Sequence, residues 1–547
     1  MGTQTAATVT VPAMLTIDLN TGRLADQQTE AVFAALPYRY EVQGNIGPTA
    51  FRETDLVDRS LTVAGDTMVL TGRLPAAQLA LRQEVRTVAG GLDEIISLTN
   101  HSSLPVQLSD IGIGFATRLA DHAGWHLAAI PFTVQLDGSR HHYTVADLGA
   151  GGFKNAVCFD NSKVEPPVVE ANRLRSEAWA WRCGDVNLVV MKYNAAEMEL
   201  SVAAVLDEAG AKCLRFGGVG TCLYGEPIRL HRVAPGQTVT FGVTMYRVVR
   251  GDLTAAHTLY RAELDRRGHG FPSDYNPPVN WNELYDIGWH HSDPAALQQH
   301  YTREALERQA ALAKDVGCEL LYLDPGWEVA EGLTRWDEAR LGKQSEFAAT
   351  LRDRYGLALG IRCILRCNGD AAHHEWDERF VVRHAFGTRV IWHNYKPSAG
   401  HKEYCLCAPE FRRQKLERID AVIKGGASFL MVDEMDWRGP CHDPNHGHPV
   451  PSTHNDHVRA VYALCRELRE RNPNLLVECH DPLWPWHTCI YVPTYFQQAF
   501  KGGAYQENWG FEYMWNCLDD LKSGKALALY YYALGCNIPL YLHITMA

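Results

Sequence analysis

FRRQKLERIDAVIKGGASFLMVD (residues 411–433) sets an amphipathic helix directly before an apolar strand that stops on a carboxylate, Asp433. The same order recurs on either side. TREALERQAALAKDVG (302–317) precedes ELLYLDPGW (319–327), and NDHVRAVYALCRELRERN (455–472) precedes NLLVECH (474–480). LALGIRCIL (357–365) is a further apolar strand, and LYDIGWH (284–290), GGAYQE (502–507) and PLYLHI (539–544) read as three more. Apolar strands that alternate with amphipathic helices predict a parallel sheet, and this many in about 270 residues predict a (β/α)8 barrel. Only seven strands are found, because RVIWHN (389–394) reads better as part of a long loop. The barrel is therefore expected to lack its last strand. An unpaired strand edge invites pairing, so either the chain is a fragment or it forms a homo-oligomer that covers the edge.

The front of the chain follows another pattern. TMVLTGRL (67–74), LDEIISLTN (92–100), VQLSDIGIGFA (106–116), DVNLVVMKY (185–193), MELSVAAVL (198–206) and TVTFGVTMYRV (238–248) alternate or run β-branched between turn residues, which predicts a β-sandwich. LTAAHTLYRAELDRR (253–267) reads as a helix and GHGFPSDYNPPVN (268–280) as a linker. The expected organisation is a sandwich over 1–252, helix and linker over 253–280, and a barrel over 281–547.

Composition narrows the functional class. With 46% apolar and 21% charged residues the chain is globular, and 52 basic against 64 acidic residues give a net charge of −12. There is no basic run to meet phosphates and no apolar stretch near the ~20 residues of a membrane helix, so neither nucleic acid nor membrane is an expected partner. MGTQTAATVTVPAM lacks the pattern of a signal peptide, and fifteen cysteines without a framework suit reduced thiols, so a cytoplasmic location is expected.

Catalytic groups of a barrel project from the carboxyl ends of its strands. Those ends carry Trp289, Asp324, Arg366, Asp433, Glu478, Asp481, Glu507 and His543, with Trp327 close by. Eleven of the fourteen Trp and sixteen of the twenty-four His fall after residue 280, which marks this half as the working half. Carboxylates crowded among Trp rings suit sugar chemistry, since indole faces cover the C–H side of a pyranose while carboxylates bind hydroxyls and attack or protonate. Any one of these carboxylates also fits a helix N-cap, and the Trp residues also fit a core. Asp433 fits the cap poorly, because it ends the wholly apolar FLMV and is followed by two more carboxylates. Cys441, His442, Asp443, His446, His448, His454 and His457 offer metal-ligand chemistry, but without a CxxC pair they read rather as a polar, substrate-facing loop. Cys363, Cys367, Cys405 and Cys407 read as packing, and no metal is assigned.

At this point a resemblance becomes specific. LLYLDPGW, YCLCAPEFRRQKLERIDAVIKGGASFLMVDEMD, HVRAVYALCRELRERNPNLLVEC, GGAYQENWGFEYMWNCLDDLKSG and PLYLHI, in that order, resemble the barrel of glycoside hydrolase clan D, most nearly the α-galactosidases of families 36 and 27. LDEIISLTNHSSLPVQLSDIGIGFA is similar to the N-terminal sandwich of those enzymes. The resemblance implies a retaining mechanism with Asp433 as nucleophile and Glu507 as acid/base, and no cofactor. It also implies an eighth strand and a C-terminal β-domain beyond the given sequence. Four departures stand out: Pro325 where the family has a second Asp, Met431 where it has Lys, Glu507 where it commonly has Asp, and HDPLWPW (480–486) in place of a Gly-rich stretch. They imply a relative with altered sugar specificity acting on an oligosaccharide or glycoside. Asp324, Trp327, Trp289, Arg366, Glu478, Asp481 and His543 are expected to hold the sugar. A metal-dependent barrel hydrolase using the 441–457 loop and a non-catalytic sugar-binding homologue remain the alternatives.

Overall fold

The computed structural model describes residues 15–130, 142–152, 154–155, 170–176, 178–195, 199, 201–219, 232–268, 278–284, 286–288, 293–365, 367–368, 375–387, 402–433, 439–479 and 492–493. These divide into two compact units, one of the residues through Glu263 and one of those from Leu264 onward.

The first unit is built from antiparallel sheets. A long strand, Val106–Arg118, lies between Leu36–Ile46 and Ala211–Phe216 in one sheet, and Gly91–Asn100 lies between Leu79–Val88 and Val243–Arg250 in the other. The alternation in LDEIISLTN is realised directly, with Leu92, Ile96 and Leu98 in a core that includes Trp179, Trp181 and Tyr246. TVTFGVTMYRV forms two strands rather than one, Thr238–Thr240 and Val243–Arg250. Within that core Glu94 is fully buried and accepts hydrogen bonds from Tyr38 Oη (2.6 Å), Gln83 Nε2 (2.5 Å) and Tyr246 Oη (2.6 Å). A buried charge is tolerable only when its lone pairs are satisfied in this way.

The second unit holds six strands in one sheet, joined in parallel and in sequence order: β1 (Asn280–Asn282), β2 (Leu320–Leu323), β3 (Ala358–Ile364), β4 (Ala427–Asp433), β5 (Leu476–Cys479) and β6 (Val492–Pro493). Helices α1 (Arg303–Asp315), α2 (Pro409–Lys424) and α3 (His454–Arg471) precede β2, β4 and β5. Strands β2 to β5 and all three helices form where the sequence predicts them. Between α2 and β4, Gly426 takes φ 115°, and a Cβ there would lie 2.5 Å from that of Ala348, so a side chain is excluded. Two readings are corrected. The first strand is Asn280–Asn282, and of the stretch 284–290 the amides of Asp286, Ile287 and Gly288 turn back to bond Glu283 O, while 285, 289 and 290 lie outside the described residues. Beside β5 lies Val492–Pro493, a strand the sequence reading does not contain. The strands read at 502–507 and 539–544 lie outside the described residues, and so does any closure of the sheet into a barrel.

The Glu94 cluster generates a stability prediction. Glu94→Ala leaves three buried donors without an acceptor and is expected to cost upward of about 3 kcal/mol, read as a fall in the urea-unfolding midpoint. Arg413→Ala, which removes solvent-exposed pairs to Glu410 and Glu417, is expected to leave that midpoint unchanged.

Candidate active site

Asp324 directly follows β2 and Asp433 is the last residue of β4, so both carboxylates stand at the carboxyl edge of the parallel sheet. Ligands of such sheets bind on this side. Both are nearly buried, at 6% and 7% exposure. Strand β3 runs between them and brings Arg362. Its Nε lies 2.5 Å from Asp433 Oδ2 and 3.4 Å from Asp324 Oδ1, and its Nη1 lies 2.8 Å from Glu331 Oε1. Burial works against the charge of Arg362, but Asp433, Glu331 and Asp324 outweigh it and raise the guanidinium well above its ordinary pKa. Three anions thus share one cation, a balance that suits a site for a polyhydroxylated or developing cationic ligand.

Asp324 is held from behind as well. Asn282 Nδ2 donates to its Oδ2 at 3.1 Å, and its backbone amide donates to both oxygens of Glu283 at 3.0 and 3.1 Å. Glu283 is wholly buried and also accepts from Tyr301 Oη at 2.6 Å. Burial, with the charge of Asp324 added, pushes its pKa well up. Glu328 is pushed up to about 7 by burial against the pull of Lys415.

The other residues expected at the site are placed as follows. Trp327 is fully buried, its Nε1 donates to Arg362 O at 3.0 Å, and its ring lies 6.2 Å from that of Trp336. Its surface is therefore covered by protein, and it fixes the backbone of β3 from which Arg362 projects. Glu478 lies in β5 as the ladder partner of Met431. Trp289, Arg366, Asp481, Glu507 and His543 lie outside the described residues, so the described residues bring together Asp433 and Asp324 of the expected set. Sequence reading missed Arg362, Glu331, Glu283 and Asn282. For Arg362 a signal was present: a lone charge inside the apolar run LALGIRCIL is as awkward as Asp433 after FLMV.

Met431, one of the four departures from the resemblance, is 1% exposed and belongs to an apolar cluster with Leu320, Tyr322 and Phe429. Its Sδ accepts from Tyr322 Oη at 2.9 Å. Its ladder partner on β3 is Arg362. A cation is thus present at this level of the sheet, one strand over.

No protein-family profile matches the chain, and no curated protein matches it by sequence. Solved structures do match by fold. The galactosidase domain of the α-galactosidase–sucrose kinase AgaSK superposes with a TM-score of 0.52 at 12% identity, over 90% of this chain and 69% of that one. The GH36 α-galactosidase AgaA of Geobacillus stearothermophilus in complex with stachyose gives 0.51 at 11%, over 82% and 62%. The α-N-acetylgalactosaminidase NagBb of Bifidobacterium bifidum in complex with GalNAc gives 0.52 at 13%, over 88% and 77%. The chain therefore spans between about three fifths and three quarters of these proteins. In fold, it is similar to the GH36 α-galactosidases and to an α-N-acetylgalactosaminidase.

Proposed function

We propose that the protein is a retaining α-glycosidase whose sugar specificity departs from that of the α-galactosidases, with Asp433 as nucleophile and Glu507 as acid/base. The observation that carries this reading is a nearly buried carboxylate at the end of β4, bound by a guanidinium, in a fold shared with glycosidases that act on α-linked sugars. In the reaction Asp433 Oδ attacks the anomeric carbon while Glu507 protonates the leaving oxygen, and Glu507 then takes a proton from water as it hydrolyses the glycosyl ester. Arg362 acts as a positioning residue. It fixes one Asp433 oxygen and favours the anionic carboxylate. When the ester forms and that charge is lost, Asp324 and Glu331 still neutralise Arg362. Asp324 and Glu478 would bind hydroxyls, together with Trp289, Arg366, Asp481 and His543.

Two outcomes test the reading. Asp433→Ala is expected to abolish turnover of aryl α-glycosides, with azide restoring it as the glycosyl azide of inverted configuration. Glu507→Ala is expected to lose far less on activated aryl glycosides than on unactivated ones, because a good leaving group needs no proton. Undiminished activity of Asp433→Ala refutes the assignment. In a panel of aryl α-galactoside, α-glucoside, α-N-acetylgalactosaminide and α-rhamnoside, the plain α-galactoside is expected not to be best. Met431 and Pro325 remove polar partners, and each unpaired buried hydroxyl costs roughly 1–3 kcal/mol, or about 5- to 150-fold in specificity constant.

The role of Arg362 has its own readout. Arg362→Met is expected to lower kcat and to move the acid limb of the pH–rate profile to higher pH, since loss of the cation favours protonated Asp433. Arg362→Lys is expected to restore the limb in part. An unmoved limb in Arg362→Met shows that the guanidinium does not act through Asp433.

A further inference from the structure

Away from this carboxylate cluster, the second unit gathers Cys405, Cys441, His446 and His448 so that one ligand atom from each lies within 4.8 Å of every other. We propose that these four residues form a structural zinc site that pins the loop between β4 and α3 to the segment leading into α2. The inference is independent of the glycosidase reading.

Four features of the cluster support it. The first is ligand type. Two thiols and two imidazoles are the donor set of tetrahedral structural zinc sites, whereas calcium and magnesium take oxygen ligands. The second is spacing. Cys441 Sγ lies 3.3 Å from His446 Nδ1, close to the roughly 3.5 Å edge expected for sulfur and nitrogen about a tetrahedral zinc with bonds of ~2.3 and ~2.0 Å.

The third feature is the orientation of the imidazoles. His446 Nε2 is 2.6 Å from Arg379 O, and a carbonyl only accepts, so Nε2 carries the proton and Nδ1 turns its lone pair toward Cys441. His448 Nδ1 likewise donates to Pro449 O at 2.7 Å. That leaves His448 Nε2, which is buried beside the Cys441 thiol without a well-aligned hydrogen bond. A backbone acceptor on the far ring nitrogen of each His is the arrangement that orients metal-binding imidazoles. An orphaned basic nitrogen beside two sulfurs is costly unless something fills the space between them.

The fourth is rigidity. The loop closes on itself through Cys441 N to Ser452 Oγ (2.8 Å) and Ser452 N to Cys441 O (2.9 Å). It is tied to the segment before α2 by Arg383 with Asp443 (2.9 Å) and by His442 N to Arg383 O (2.9 Å). Cys405, Cys441 and His446 are 3%, 1% and 4% exposed. Binding would displace two thiol protons, and Zn2+ with two thiolates and two neutral imidazoles is a neutral centre that suits such burial. All four positions are taken by protein, so no open position remains for catalysis.

From sequence alone Cys441, His446 and His448 read as part of a polar loop facing substrate. Cys405 lies before α2 and only the fold brings it to the others. His442, Asp443, His454 and His457 are not part of the four: Asp443 caps a short turn over 444–446, and His454 and His457 lie in α3.

The test uses the full chain purified without chelator. Elemental analysis is expected to give one zinc per chain. Cobalt substituted for zinc is expected to show thiolate-to-metal charge transfer and the intense d–d bands of a tetrahedral centre. Cys405→Ser, Cys441→Ser and His448→Gln are each expected to reduce bound zinc at least tenfold under dialysis, while His442→Gln retains it. If Cys441→Ser does not fold, the half-exposed His448→Gln still reads the site through its altered cobalt spectrum. Metal-free protein that takes up no zinc overturns the proposal, as does a Cys405–Cys441 disulfide in that protein. Zinc retained in both Cys405→Ser and His448→Gln overturns it too.

Discussion

One guanidinium balances the carboxyl edge of the sheet. Asp324 directly follows β2 and Asp433 ends β4, on either side of β3, and both are withdrawn from water. Without a cation between them their burial and mutual repulsion would cost several kcal/mol, or would force one to take up a proton. Arg362 meets both and also reaches Glu331, which comes from the long connection after β2. Because Arg362 is in the strand and not in a loop, its backbone is fixed by the ladder to Met431 on β4, and the preceding Ile361 pairs with Leu323 on β2. Trp327 adds a further hold through Arg362 O. The indole read from sequence as a platform for sugar therefore acts one step further back, on the element that carries the cation.

Much of this unit is legible in sequence because burial on both faces leaves a plain mark. Strands β2 to β5 are short apolar runs, and their helices carry charged outer faces with Thr302 and Thr453 as caps for α1 and α3. Strand β1 leaves no such mark. Asn280-Trp281-Asn282 is polar on two of its three positions, and it is a buried strand only because partners are waiting. Trp281 donates to Gln309 on α1 at 2.6 Å, and Asn282 lies between Asp324 and the amide of Leu284. The apolar residues just after it imitate a strand better than the strand itself does. Strand β6 has two residues, too few for any periodicity.

The site divides along the same line. A carboxylate that ends an apolar strand is visible from one short window, which is why Asp324 and Asp433 are found. Partners that lie on other strands are visible only through the fold, as with Asn282 and Glu283 behind Asp324. Cys405 is the same case at the metal cluster: its three companions sit within one loop, and it does not.

The ladder pairing of Arg362 with Met431 bears on the departure at position 431. Neighbouring strands in a sheet lie about 4.8 Å apart, so a Lys at 431 would set a second cation beside Arg362 in a place with little water to screen it. It would also enter the apolar cluster of Leu320, Tyr322 and Phe429 and remove the sulfur that accepts from Tyr322 Oη. A cation on β3 and a cation on β4 at this level are thus alternatives. Met431 is an apolar residue that fits both beside a cation on β3 and within that cluster. The exchange is not neutral for a ligand. A Lys ammonium presents three rotatable donors, whereas the guanidinium of Arg362 is a rigid fork already committed to Asp433, Asp324 and Glu331. A guanidinium on β3 in place of an ammonium on β4 therefore changes the donors held at this edge while keeping its charge balance.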